Sequence, residues 1–297
     1  MANQHPLTTY LLTSCPHSLE AATITPFLRA AGCGQLPAPA LSQWLSQDRL
    51  YAQSYIRFAG QLLSKIRLPS HNPNSAVPKA PTAEHRAMDV LIDALVNIRR
   101  ELNFFEEVAL EYGLDLTAMP SEGTEKKVEC RCDGGSGSEG CEREEKWRES
   151  AKERGCTTFF GPNMVTKGYI DMFMSAGSSG VTLLEGMVVL WASEVCYLRA
   201  WKYAKSVSGD GIGAASGSGD FSNDADGGAL RAKFIPNWTN AEFEEFVDRI
   251  GDVVNELAGR VKGAEEGEYV RGKCMEWWRQ VLRLEQEFWP CVKAGER

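Results

Sequence analysis

The chain has 297 residues, 43% of them hydrophobic, a net charge of −8 and a pI near 5.2. That is apolar material for one large domain or two small ones, and the acidic balance with scattered Lys and Arg argues against a nucleic-acid partner. No apolar run approaches the roughly 20 residues of a membrane-spanning helix, and the start MANQHPLTTYLLTSC shows no secretory leader. Nine cysteines, several on expected helices (Cys196, Cys274, Cys291), fit reduced thiols of a cytoplasmic protein better than a disulfide framework.

In chain order the recurring signal is helical. Residues 41–66 carry an apolar stripe at steps of three and four: Leu41, Trp44/Leu45, Tyr51, Tyr55, Phe58/Ala59, Leu62, Ile66. A Pro- and Asn-rich connector (68–81) leads to a helix near 83–113, with the stripe Leu91, Leu95, Ile98, Leu102, Phe105, Ala109, Tyr112. Further helices are expected near 163–177 (Val165, Tyr169, Met172/Phe173, Ala176) and 180–206 (Leu184, Met187, Trp191, Leu198, Trp201). The next starts at Thr239, which has capping-box spacing to Glu242, and runs through Phe246/Val247, Ile250 and Val254. The last spans 268–292, with Cys274, Trp278, Val281, Phe288 and Val292. Sustained period-2 runs are missing, so the expected fold is all-α, one domain built as a bundle of long helices. Two Gly/Ser- and charge-rich stretches, 120–157 and 207–232, are expected as solvated, mobile insertions outside the bundle.

Three acids break the pattern. Asp48 sits mid-stripe between Trp44 and Tyr51, Glu194 between Trp191 and Leu198, and Glu285 between Val281 and Phe288. A buried carboxylate without a partner is costly, so such a residue has a partner or a task. With Tyr51 and Tyr197 each one turn from an acid, the combination points to an aromatic pocket holding several carboxylates. Such a pocket suits a flat, nitrogen-rich ligand that offers N–H donors. The plainer alternative pairs each acid with an interior Arg or Lys.

The segment QWLSQDRLYAQSYIRFAG, with Gln47-Asp48-x-x-Tyr51, resembles the second helix of the TenA (thiaminase II) family. PNMVTKGYIDMF, carrying Tyr169, is similar to the family's next motif, and LLEGMVVLWASEVCYLRAW to its W-A-x-E-x-x-Y helix. FIPNWTNAEFEEFV and VLRLEQEFW, the latter with Glu285-x-x-Phe288-Trp289, resemble its last two motifs. The likeness covers about 20–65, 160–205 and 234–290 and leaves out both insertions. It implies the heme-oxygenase-like helical fold, no cofactor, no metal, and a homo-oligomer (dimer or tetramer). In one branch of the family a catalytic Cys lies four residues before the Tyr matched by Tyr197; here that position is Ser193. The pair Ser193-Glu194 resembles the glutamate-type branch, with a fungal source as the accompanying expectation. That branch salvages thiamin breakdown products by hydrolysing aminomethylpyrimidine or its N-formyl derivative.

By that resemblance Asp48 anchors the 4-aminopyrimidine ring. Tyr51, Tyr169 and Trp238 supply stacking surface and hydroxyls, with Ser193 and Tyr197 also on the substrate. Glu285 is the main acid/base, and Glu194 activates water or supports Glu285. The competing expectation is a non-catalytic member that binds a pyrimidine or a partner protein. A zinc site at Cys130, Cys132 and Cys141 is discounted because the spacing is wrong and no His is near. His5, His17, His71 and His85 lie off the stripes, where a haem ligand would not be.

Overall fold

The stripe that begins at Leu41 folds as α4, Ala38–Lys65, a 28-residue helix whose inward face is Leu41, Trp44, Leu45, Asp48, Ala52, Tyr55, Phe58, Ala59 and Leu62. In this computed structural model residues 5–68, 81–119, 160–210 and 219–290 are described, and every regular element among them is helical. Three short helices precede α4: α1 (Leu7–Ser14), α2 (Pro16–Thr23) and α3 (Pro26–Gly32). Pro16 and Pro26 each sit in a first turn, where the missing N–H costs nothing. These helices are too short for periodicity to reveal.

Helix α5 (Ala83–Tyr112) stops at Gly113, whose φ of 67° suits a left-handed C-terminal residue. Its buried face keeps Leu91, Phe105 and Ala109 of the expected stripe and adds Ala83, Ala87, Val90, Ala94 and Val108. Leu95, Ile98, Leu102 and Tyr112 of the expected stripe are only partly buried. Helices α6 (Met164–Gly177) and α7 (Leu183–Ser206) follow. α7 opens with a capping box: Glu185 N–H donates to Thr182 Oγ1 at 3.2 Å and Thr182 N–H to Glu185 Oε1 at 3.4 Å. Apolar residues lie nearly all round α7, as a central helix requires. It packs against α2, α3, α4 and α6 and against the last three helices. These are the one-turn α8 (Ile235–Trp238), preceded by a π-turn at Leu230–Phe234, then α9 (Ala241–Gly259) and α10 (Ala264–Phe288).

Two expectations need correction. α9 is capped by Asn240, whose side chain accepts from Phe243 N–H at 2.8 Å; the Thr239 hydroxyl instead donates back to Ile235 O at 2.7 Å. Thr239 therefore closes the preceding turn and cannot also cap the next helix. The stretch 207–232 is not wholly a solvated insertion, because 219–232 packs on the bundle. Ala225 N–H donates to Gly34 O at 2.9 Å, and Ala38 N–H to Ala225 O at 3.2 Å. Asp226 accepts from Gly228 and Leu230 N–H at 3.0 and 2.8 Å, which shapes the entry to the π-turn. A Gly- and Asp-rich composition reads as solvated, but here the carboxylates satisfy turn amides and a buried arginine. The insertion at 120–157, with Cys130, Cys132 and Cys141, lies outside the described residues. No helix among the described residues is long and apolar enough to cross a membrane, and no His/Cys/Asp/Glu group among them could hold a metal ion.

Candidate active site

A cavity of about 300 Å³ opens between α4, α5, α7, α8 and α9. Its volume suits a ligand of one small ring with substituents. α4 contributes Asp48, Tyr51, Ala52 and Tyr55; α5 contributes Ala94, Ile98, Glu101 and Phe105; α7 contributes Glu194 and Tyr197. Asn237 and Trp238 of α8 and Phe243 and Phe246 of α9 complete the wall. Helical spacing explains these sets. Asp48, Tyr51 and Tyr55 are three and four apart, as are Ala94, Ile98, Glu101 and Phe105, so each group shares one face.

The carboxylates are held by neutral donors. Tyr197 OH donates to Asp48 Oδ2 at 3.1 Å, Trp238 Nε1 donates to Glu101 Oε1, and Tyr55 OH partners Glu194. Behind this wall Tyr169 OH donates to Glu285 Oε1, while Glu285 Oε2 is buried and makes no hydrogen bond to the protein. Arg100 is the only cation among the described lining residues, and its guanidinium pairs with Glu242 at 3.0 Å on exposed side chains. The inner acids therefore lack a neutralising partner. Burial, opposed by the Tyr55 hydrogen bond and reinforced by Glu101, pushes Glu194 from 4.5 up to about 7. Burial, opposed by Trp238 and Asn237, brings Glu101 to about 7. Burial, with Tyr169 opposing and Glu194 reinforcing, raises Glu285 to about 8. Asp48 is held well above the ordinary carboxylate range by burial first and Glu101 next; the Tyr197 hydrogen bond opposes, and Glu285 and Glu194 add smaller upward pushes. By surface Glu101 and Glu194 are partly exposed, whereas Asp48 and Glu285 are buried.

Of the expected site residues, Asp48, Tyr51, Glu194, Tyr197 and Trp238 line the cavity. Tyr169, Ser193 and Glu285 do not. They sit in a layer behind Tyr51, whose ring meets Tyr169 edge-on at 5.0 Å and Phe288 at 6.0 Å, and whose hydroxyl partners Ser193. Ser193 Oγ donates to Leu190 O at 3.0 Å, so its proton is engaged by its own helix. The Cys196 thiol is fully buried and pushed upward by burial and then by Glu285, which disfavours the thiolate. Trp238 stacks on Phe234 at 4.8 Å and 21°, with Trp201 at 4.4 Å, which fixes its indole.

Glu101 is the site residue that the sequence reading passed over. In RRELNFFEE it looks like one charge among many on a solvated face. The available signal was its place one turn before the buried Phe105.

No family model matches the sequence. A curated protein of Fusarium pseudograminearum described as a probable transcription factor is 30% identical over 286 residues, covering 86% of this chain and 47% of its own. The chain thus spans about half the length of that relative. Among solved structures, a TenA homologue from Pyrococcus furiosus superposes with a TM-score of 0.61 at 20% identity, covering 95% of this chain and 98% of its own. A TenA family transcription regulator from Silicibacter gives 0.61 at 14% identity, covering 95% and 94%. A TenA homologue from P. horikoshii gives 0.59 at 14%, covering 96% and 98%.

Proposed function

We propose, from the heme-oxygenase-like helical fold that the chain shares with TenA homologues and from the chemistry of the cavity, that the protein is a C–N hydrolase of the glutamate-type TenA branch. It takes aminomethylpyrimidine or its N-formyl derivative. The observation that carries this reading is the set of three carboxylates, Asp48, Glu101 and Glu194, on an aromatic wall without a cation among them. A carboxylate facing the amino group and ring nitrogen of a 4-aminopyrimidine makes two charge-assisted hydrogen bonds, and in this reading Asp48, which accepts from Tyr197, takes that task. Phe105, Phe243 and Trp238 offer ring faces and edges.

Two acids divide the chemistry. Glu194, near pKa 7 and facing the cavity, takes a proton from water as the water oxygen bonds to the methylene carbon and the C–N bond breaks. Glu285, near pKa 8, is mostly protonated at neutral pH and keeps a proton on the exocyclic nitrogen as the C–N bond breaks. From the amine the products are the hydroxymethyl compound and ammonia; with the N-formyl compound the water oxygen bonds instead to the formyl carbon, and its C–N bond breaks to give formate and the free amine. Glu285 reaches the cavity only if Tyr51, which packs edge-on against Tyr169, turns aside as substrate seats. Ser193 is a poor nucleophile, since no base receives its proton. The test is release of ammonia, and of formate from the N-formyl compound, by the purified protein. Loss of release in Glu194→Gln and Glu285→Gln with the fold intact is the expected result. Full activity in both variants overturns the assignment.

A second reading is a non-catalytic pyrimidine binder or interaction protein. It draws on Ser193 at the position of the missing thiol and on the regulator descriptions of two relatives. Saturable binding of the aminopyrimidine with no ammonia or formate release would select it.

A further inference from the structure

Glu101 reaches the cavity from α5, whereas Asp48 comes from α4, and it is held by two neutral donors, Trp238 and Asn237. Its indole partner is itself clamped between Phe234 and Trp201, so the carboxyl is not free to swing toward solvent. The nearest lining cation, Arg100, is its neighbour in sequence yet points to the rim and pairs with Glu242. Nothing on the wall offers a positive charge to Glu101. Asp48 and Glu194 only add like charge, and each is itself pushed upward by Glu101. A ring anchored at Asp48 would leave its exocyclic substituent to face the other acids of the wall.

We propose that Glu101 is a specificity-determining residue that makes the cavity select a ligand with a protonated exocyclic amine over its neutral N-acylated counterpart. This rests on the aminopyrimidine reading and deepens it, because it chooses between the two substrates that reading leaves open. An ammonium group replaces the missing counter-ion of the wall, lets the inner acids ionise together, and satisfies Glu101 with a charge-assisted hydrogen bond. An N-formyl group brings a carbonyl oxygen instead, which accepts hydrogen bonds and meets a carboxylate with none to give. Selectivity of this kind comes as much from the mismatch of the wrong ligand as from the fit of the right one.

The experiment is calorimetric titration of the full chain and its Glu101→Gln and Glu101→Asp variants with aminomethylpyrimidine and, separately, with N-formylaminomethylpyrimidine. The wild type should favour the amine, and Glu101→Gln should lose about 10–100-fold of that preference, the worth of one hydrogen bond to a charged group. Glu101→Asp, which keeps the charge, should keep the order of affinities. A purely structural Glu101 would weaken both ligands alike, so an unchanged ratio in Glu101→Gln overturns the inference while leaving the proposed function standing. A wild type that prefers the N-formyl compound also overturns it alone. A wild type that binds neither pyrimidine overturns both.

Discussion

Among the described residues, carboxylates are buried in two places and treated in opposite ways. Beside Gly34, Asp224 meets Arg231: Arg231 Nε donates to Asp224 Oδ2 at 2.7 Å, a second nitrogen donates to Oδ1, and both side chains are almost fully buried. The guanidinium also lies over the Phe221 ring, 4.5 Å from its centroid. Gly34, at φ 70°, keeps this corner open, because a Cβ there would lie 2.6 Å from the Asp224 carboxyl. Around the cavity, Asp48, Glu101 and Glu194 have hydroxyl, indole and amide partners but no cation. A charge matched by its opposite is part of the architecture. Several matched only by neutral donors amount to a stored demand for a ligand that brings positive charge or hydrogen-bond donors.

The largest effect that could break this contrast is catalytic. Glu194→Gln should lower turnover of the aminopyrimidine by roughly 10²–10⁴-fold, the usual worth of a positioned acid or base. Its thermal midpoint should stay or rise, because the substitution removes an unmatched charge. Turnover assays beside a melting curve check both halves. Asp224→Asn should behave the other way, costing about 3–5 kcal/mol of stability by taking the countercharge from a buried guanidinium. Activity per folded molecule should be unchanged, as urea unfolding and active-site titration would show. If Glu194→Gln melted like Asp224→Asn, the cavity acids would be structural after all.

How far this contrast was legible in the sequence depends on the residue. Asp48, Glu194 and Glu285 each interrupt a strong apolar stripe, so spacing alone marks them; α4 and α7 lie close to where periodicity puts them, while α10 begins earlier, at Ala264, and ends at Phe288 instead of 292. Their sorting did not follow: a stripe is wide enough to face either the cavity or the layer behind Tyr51, and only packing decides. Glu101 stayed hidden because it follows Arg99 and Arg100 in a charged run that looks solvated, although it stands one turn before the buried Phe105. The pairing of Asp224 with Arg231 was masked by composition, since Gly- and Asp-rich chain looks solvated until a buried arginine is found among its aspartates. Local pattern shows where charge is out of place; the partner is a tertiary fact.

A medium effect follows from pH. The folded values of Glu101, Glu194 and Glu285 are raised from 4.5 to about 7, 7 and 8, so the folded state holds protons that the unfolded chain has released. Their contribution to stability is complete below about pH 4.5 and is lost as pH rises through about 7 to 8. The melting midpoint should therefore decline across that window. Glu194→Gln and Glu101→Gln should each flatten the decline, and a saturating cationic ligand should flatten it too by favouring the ionised acids. A midpoint independent of pH across this range, with the Asp224–Arg231 pair intact, would mean that the cavity acids are neutralised by a partner on the wall.

The smallest change is the one that tests how the neutral donors act. Trp238→Phe keeps an aromatic ring against Phe234 and Trp201 but removes the Nε1 donor to Glu101. That hydrogen bond opposes the upward push of burial, so its loss should raise Glu101 further above about 7. At neutral pH the carboxyl would then be more often protonated in the empty cavity, and a cationic ligand would have to displace that proton to bind. Affinity for the amine should fall by about 3–10-fold, near the net worth of one hydrogen bond. The loss should shrink as the assay pH is raised, because the carboxylate is restored without the indole. A loss independent of pH would mean that Trp238 serves the ligand as a surface alone. The Glu101 carboxylate would then owe its place to Asn237, the remaining donor on α8.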